Sequence, residues 1–252
     1  LNYTLHLADN ALILGQRNAE WTGHGPVLEQ DIAISNISLD LIGQARNFYQ
    51  YAATLINQST SQSLNRSTED TLAYLRNEKE FKNCLLVELK KGDWAFTVLR
   101  QFLFSTYQFY LYQQLQKSAD AMLAAIAEKS LKEVTYHVRW SAEWVIRLGD
   151  GTTESNRRIT GALHDLWPYT GELTGNAGYE TALLAENLAV DLTTLKELWM
   201  DKIKEVLHEA TLELPQNQWM QTGGKEGNHT EHLGFILAEM QYLQRTYPGV
   251  EW

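Results

Sequence analysis

Apolar residues return at steps of three and four along most of this chain, the period of helices that each bury one face. Leu7, Ala11 and Leu14 place a first helix over Asn2 to about Glu20, and the turn-forming run Gly23-His24-Gly25-Pro26 ends it. Ile34, Ile37, Leu41, Ala45, Phe48, Ala52 and Leu55 predict a long second helix from Val27 to about Asn57. The polar stretch Gln58 to Thr68 reads as a mobile connection. A third long helix, capped by Asp93, runs to about Lys117 with Val98, Phe102, Ser105, Phe109, Tyr112 and Leu115 facing inward. A fourth spans Ala121 to Leu148 on the stripe Leu123, Ala127, Leu131, Val134, Val138, Ser141, Val145 and Leu148. Gly149-Asp150-Gly151 is expected to stop it with a left-handed residue.

Shorter helices are expected over Thr71 to Arg76, Ser155 to Trp167, Asn176 to Leu188, Thr193 to Leu212 and Asn228 to Thr246. Asn83 to Leu89 fits either a strand or a buried helical turn. Pro26, Pro168, Pro215 and Pro248 fall only where helices could start or stop, which leaves the long stripes intact. The pattern predicts an all-α four-helix bundle over about 1–150 with appended helices over about 151–252, all in one domain, since no linker marks a boundary.

Composition narrows the partners. A net charge of −10 with no basic cluster disfavours nucleic acid. A single cysteine, Cys84, leaves no internal disulfide to form, and neither a signal peptide nor an apolar run of bilayer length is present, so a cytoplasmic location away from the membrane is expected. Opening on Leu1 places the expected start of the natural chain a few residues upstream.

Bundles of this kind often hold two irons between a carboxylate on each of two helices and a Glu-x-x-His pair on each of the other two, because residues three apart share a helix face. Here the runs Leu39-Asp40-Leu41-Ile42-Gly43-Gln44-Ala45-Arg46-Asn47-Phe48, Lys132 to Arg139, Thr222-Gly223-Gly224-Lys225, His229-Thr230-Glu231-His232-Leu233-Gly234 and Leu237 to Arg245 carry a resemblance across nearly the whole chain. It resembles the PaaC family of phenylacetyl-CoA epoxidase subunits, ferritin-like proteins related to the iron-bearing PaaA subunit. Carrying the PaaA ligand pattern over implies that Ala11 stands for the first glutamate and that Leu41 with Gln44 stands for one Glu-x-x-His. Ser105 then stands for the second lone acid, and Val134 with His137 for the other Glu-x-x-His. Only the histidine survives, so no di-iron centre and no catalytic residue is expected in this chain.

The resemblance further implies a non-catalytic structural subunit that pairs with and stabilises PaaA among other epoxidase subunits, with iron held in PaaA and NADPH electrons supplied through a reductase subunit. The interface should exceed about 2,000 Å². Self-association stays open. Two rivals are an iron-binding oxygenase or iron-storage protein of the same fold, and a free-standing acyl-CoA binder.

Other features have plainer readings. His137 reads as a core hydrogen-bonding histidine and Glu133 as a solvated flank. Glu226-Gly227-Asn228-His229 matches Glu-x-x-His only as text, since its glycine and asparagine favour a turn. Asn228 with Glu231 reads as a capping box. Gly223, Gly224, Lys225, His229 and His232 nevertheless form a candidate ligand or interface segment, for a coenzyme A phosphate or, through the two histidines, a metal. Trp21, Trp144, Trp167, Trp199 and Trp219 divide between core and interface in a way the pattern leaves open.

Overall fold

The computed structural model describes residues 1–59, 66–216 and 218–250, so the connection expected over Gln58 to Thr68 lies mostly outside the described residues. The described chain is helical with no strand, the all-α class expected, and consistent with a ferritin-like helical bundle. It divides into two compact units, Leu1–Lys90 with Gly223–Trp252, and Lys91–Thr222.

The first unit is built on α1 (Asn2–Ala19) and α2 (Leu28–Ser59), packed against each other. The Asp31 carboxylate holds the turn between them, accepting from the amides of Gly23 and Gly25 at 3.1 and 2.8 Å. These bonds and that of His24 lower its pKa. The stripe predicted for α2 is buried from Ile34 to Ala52, while Leu55 is half-buried. α3 (Glu69–Tyr74) starts on a Thr68–Thr71 capping box, and α4 (Leu85–Glu88) resolves the ambiguous Asn83–Leu89 run as a buried helical turn.

In the second unit α5 (Trp94–Leu115) and α6 (Ala121–Gly149) pack together, with α7 (Thr153–Leu166) and α9 (Leu195–Glu209) against them and α8 (Gly178–Leu184) between α7 and α9 in chain order. Asp93 caps α5 by accepting from Phe96 N at 2.9 Å, and Asp120 caps α6 through Met122 N and Leu123 N. Every residue from Ala95 to Gln108 is buried, so α5 is enclosed over most of its length rather than along one stripe. Phe109, Leu131, Val138 and Leu148, expected on inner faces, are only half-buried.

The end of α6 differs from expectation. No residue of Gly149-Asp150-Gly151 is left-handed; the C-cap Asp150 has φ −87° and ψ 8°. Gly149 is required by proximity instead, because a Cβ there would lie 2.1 Å from the Ala210 carbonyl oxygen. The Gly149 carbonyl accepts from Asn156 Nδ2 at 2.7 Å and Thr211 Oγ1 at 3.3 Å, which satisfies a helix-terminal acceptor without a left-handed turn. Gly149→Ala should therefore force α6 away from the end of α9 and cost about 1–3 kcal/mol, read from the urea midpoint.

The last helix also departs from the expected Asn228–Thr246. The N-cap is Thr230, whose hydroxyl accepts from His232 N at 3.3 Å, so Asn228 is not the capping residue. α10 (Glu231–Met240) and α11 (Tyr242–Thr246) are separated at Gln241, whose side chain donates to the carbonyls of Ala73 and Arg76 at 3.2 and 3.0 Å. Both helices belong to the first unit, so the C-terminal region is shared between the two units.

Candidate functional site

The six positions that the resemblance sets against iron ligands are all buried. In the first unit Ala11 and Leu41 are fully enclosed and Gln44 is buried one turn beyond Leu41. In the second, Ser105, Val134 and His137 are all fully buried. Ser105 Oγ lies 3.4 Å from Ser141 Oγ, and Ser141 donates to the His137 carbonyl at 2.6 Å, so hydroxyls join α5 to the turn of α6 that carries the histidine. The six positions do not fit iron. Ala11, Leu41 and Val134 offer hydrocarbon, Gln44 and Ser105 neutral oxygens, and no carboxylate stands among them to neutralise a pair of cations. Among the described residues no three His, Cys, Asp or Glu side chains converge as a metal-holding group.

Polar chemistry in the first unit is concentrated elsewhere, on the face of α1 that carries His6, Asp9 and Asn10. Asp9, fully buried, accepts from Tyr49 Oη at 2.5 Å, from Lys82 N at 2.8 Å and from both terminal nitrogens of Arg76. Arg76 also donates to the carbonyls of Leu72 and Glu80 and stacks over the Phe81 ring at 4.2 Å. Burial works to lower the Arg76 pKa, but the Asp9 carboxylate raises it overall. Burial first, and then Asp9, push the Tyr49 phenol well above its ordinary range. One residue along, Asn10 Oδ1 accepts from Cys84 N at 2.8 Å, and a turn back His6 Nδ1 lies 2.7 Å from the Lys82 carbonyl. Thus α1 grips the backbone of 82–84 with side chains rather than with apolar contact.

The Gly223–His232 segment is drawn into the same unit. Gly224 lies so close to the 83–85 backbone that a Cβ would fall 2.4 Å from the Asn83 carbonyl oxygen, and Lys225 is buried. The amides of Glu226 and Asn228 bond to Gly223 O, and that of Gly227 to Gly224 O. Thr230 N donates to Glu88 at 2.6 Å. Glu88, wholly buried, also accepts from Asn83 Nδ2 and from His229 Nδ1, both at 2.7 Å. His229 Nε2 faces the Phe81 carbonyl at 3.0 Å, so both ring nitrogens meet acceptors and the imidazolium form is favoured. Burial opposes that charge, yet the Glu88 carboxylate outweighs it and raises the His229 pKa above 6.5. His229 and His232 do not pair; His232 instead offers its carbonyl to Arg17 at 3.1 Å.

Asp9, Arg76 and Glu88 belong to no motif and no apolar stripe, so nothing in the sequence alone singles them out. The tryptophans divide by burial. Trp167 and Trp199 are buried and stacked 5.9 Å apart, with Trp199 donating to the Leu103 carbonyl at 3.0 Å. Trp144 is half-buried, edge-on to Trp94, and Trp219 is 82% exposed.

The described chain is all-helical and consistent with a ferritin-like bundle, and over residues 1–252 it matches the PaaA/PaaC family of phenylacetic acid catabolic proteins, to which it belongs. The resemblance read from its motifs is thereby confirmed. It is 48% identical over 250 residues, 99% of this chain and 98% of the relative, to the C subunit of 1,2-phenylacetyl-CoA epoxidase from Escherichia coli (strain K12).

Proposed function

We propose that this chain is a non-catalytic structural subunit of a phenylacetyl-CoA epoxidase, cytoplasmic, which pairs with and stabilises the di-iron subunit PaaA. The observation that carries this reading is the replacement of acid and histidine by Ala11, Leu41, Gln44, Ser105 and Val134, which leaves His137 alone. Iron belongs to PaaA and NADPH electrons enter through a reductase subunit. No helix among the described residues is long and apolar enough to cross a membrane. In this reading Gly223–His232 serves the fold, its amides and histidine being spent on Glu88 and on its own turn.

The test is co-expression with the PaaA of the same epoxidase, followed by size exclusion, iron analysis and an oxygenase assay. The chain should co-elute with PaaA and raise its activity, while lacking both iron and activity when alone. Two irons per lone chain would make it an oxygenase or storage protein instead. Tight binding of phenylacetyl-CoA by the lone chain would favour the free-standing binder.

A further inference from the structure

The second unit carries a cleft of about 510 Å³ where faces of α5, α6 and α9 come together, a volume within the range of small-molecule sites. Phe109 on α5, Val138, Ala142 and Ile146 on α6 and Val206 on α9 give it apolar walls. The half-buried state of Phe109 and Val138 follows from this opening. α6 and α9 close on each other where Gly149 meets Ala210, and the cleft opens beside that contact, with Ile146 and Glu209 in its lining.

The fold leaves two groups in the cleft unsatisfied. Thr106 lines it and is fully buried, yet its hydroxyl has no hydrogen-bond partner among the described residues. A threonine in mid-helix can return its hydroxyl to the carbonyl four residues back; a buried hydroxyl that bonds to nothing costs stability. Glu209 is the other. Arg139 pairs with Glu143 at 3.7 Å and Lys202 with Glu205 at 2.8 Å, whereas no cation among the described residues meets Glu209. It also stands at the last position of α9, the negative end of the helix, which favours a cation and disfavours a carboxylate.

We infer that this cleft binds a small organic amine that also carries a hydroxyl. The ammonium meets Glu209 and the end of α9, the apolar body lies on Val138, Ala142 and Val206, and the hydroxyl bonds to Thr106. Three glutamates against Arg139 and Lys202 leave the lining negative, so it selects against an anion such as a phosphorylated thioester. The cleft shares no residue with the six positions set against iron ligands, and the inference does not depend on the function proposed above.

The test is titration calorimetry of the purified chain with three probes: tyramine; phenethylamine, which lacks the hydroxyl; and para-hydroxyphenylpropionate, whose carboxylate replaces the ammonium. Tyramine should bind several-fold more tightly than phenethylamine and about tenfold or more tightly than the acid. Glu209→Gln should erase the preference for amine over acid while holding or raising the melting temperature, since it removes a carboxylate from a helix C-terminus. Thr106→Val should bring tyramine down to the affinity of phenethylamine, again without loss of melting temperature, since the methyl replaces a hydroxyl that the fold does not use. Damage to the fold would instead lower affinity and stability together. If the parent binds tyramine and the acid equally, or if either variant binds tyramine as the parent does, the cleft is not the site. Absence of saturable tyramine binding up to about 10 mM would equally overturn it.

Discussion

Asp9→Ala should lower the unfolding free energy by about 3–5 kcal/mol, because it leaves a buried guanidinium without its anion. Arg76 is almost fully buried, and its remaining partners, the carbonyls of Leu72 and Glu80 and the Tyr49 hydroxyl, supply dipoles but no charge. The same change strips acceptors from Tyr49 Oη and Lys82 N, both of which point at the lost carboxylate. Stability measured by urea unfolding is the test. The double variant Asp9→Leu with Arg76→Met separates the causes: with both charges gone the penalty of an isolated ion disappears, and a large part of the lost stability should return. A single Asp9→Ala variant within about 1 kcal/mol of the parent would show that water reaches Arg76 and that this network is not the clasp joining α1, α2 and the 76–82 segment.

Why this clasp is not legible in the sequence is a matter of helical geometry. His6, Asp9 and Asn10 fall at i, i+3 and i+4, so they form a polar stripe roughly a third of a turn from Leu7, Ala11 and Leu14. Such a stripe ordinarily faces water, and nothing local says that a non-helical segment some seventy residues later will cover it. The long helices α2, α5 and α6 are legible to within about two residues, because stripes of six or more inward positions, nearly all apolar, overdetermine the period. Asn83–Leu89 is ambiguous in sequence because what makes it a buried turn is Asn10 accepting from Cys84 N and Glu88 from Asn83, neither of which has a periodic signature. The break at Gln241 has the same character, since its side chain bonds carbonyls of residues 73 and 76. The positions corresponding to lost iron ligands can be named from the sequence only through the family resemblance. Their enclosure in the core is foreshadowed by the stripes of α2, α5 and α6.

The second large effect is a reversal of pH dependence at Glu88. His229 has a folded pKa above 6.5, so its charge stabilises the fold fully at pH values below about 6.5 and that contribution fades as pH rises through the folded value. Unfolding free energy should therefore decline on the alkaline side of 6.5, by up to about 1.4 kcal/mol per pH unit where the proton is lost. In Glu88→Gln the carboxylate that does most to raise the pKa is gone, while burial, the largest influence and a lowering one, remains against only the weaker pulls of the Phe81 carbonyl and Asp9. The folded pKa then drops below its unfolded value, and the sign changes: stability is lost as pH falls and the unfolded chain takes up the proton more readily. His229→Gln should remove both slopes, so subtracting its profile from the parent's isolates the contribution of this one ring. NMR titration of the His229 ring in the parent and in Glu88→Gln should show the two pKa values on opposite sides of 6.5. An alkaline decline that survives unchanged in His229→Gln would mean that another group titrates. It would also mean that Gly223–Thr230 is held on α4 by shape and by the Thr230 amide rather than by a charged pair.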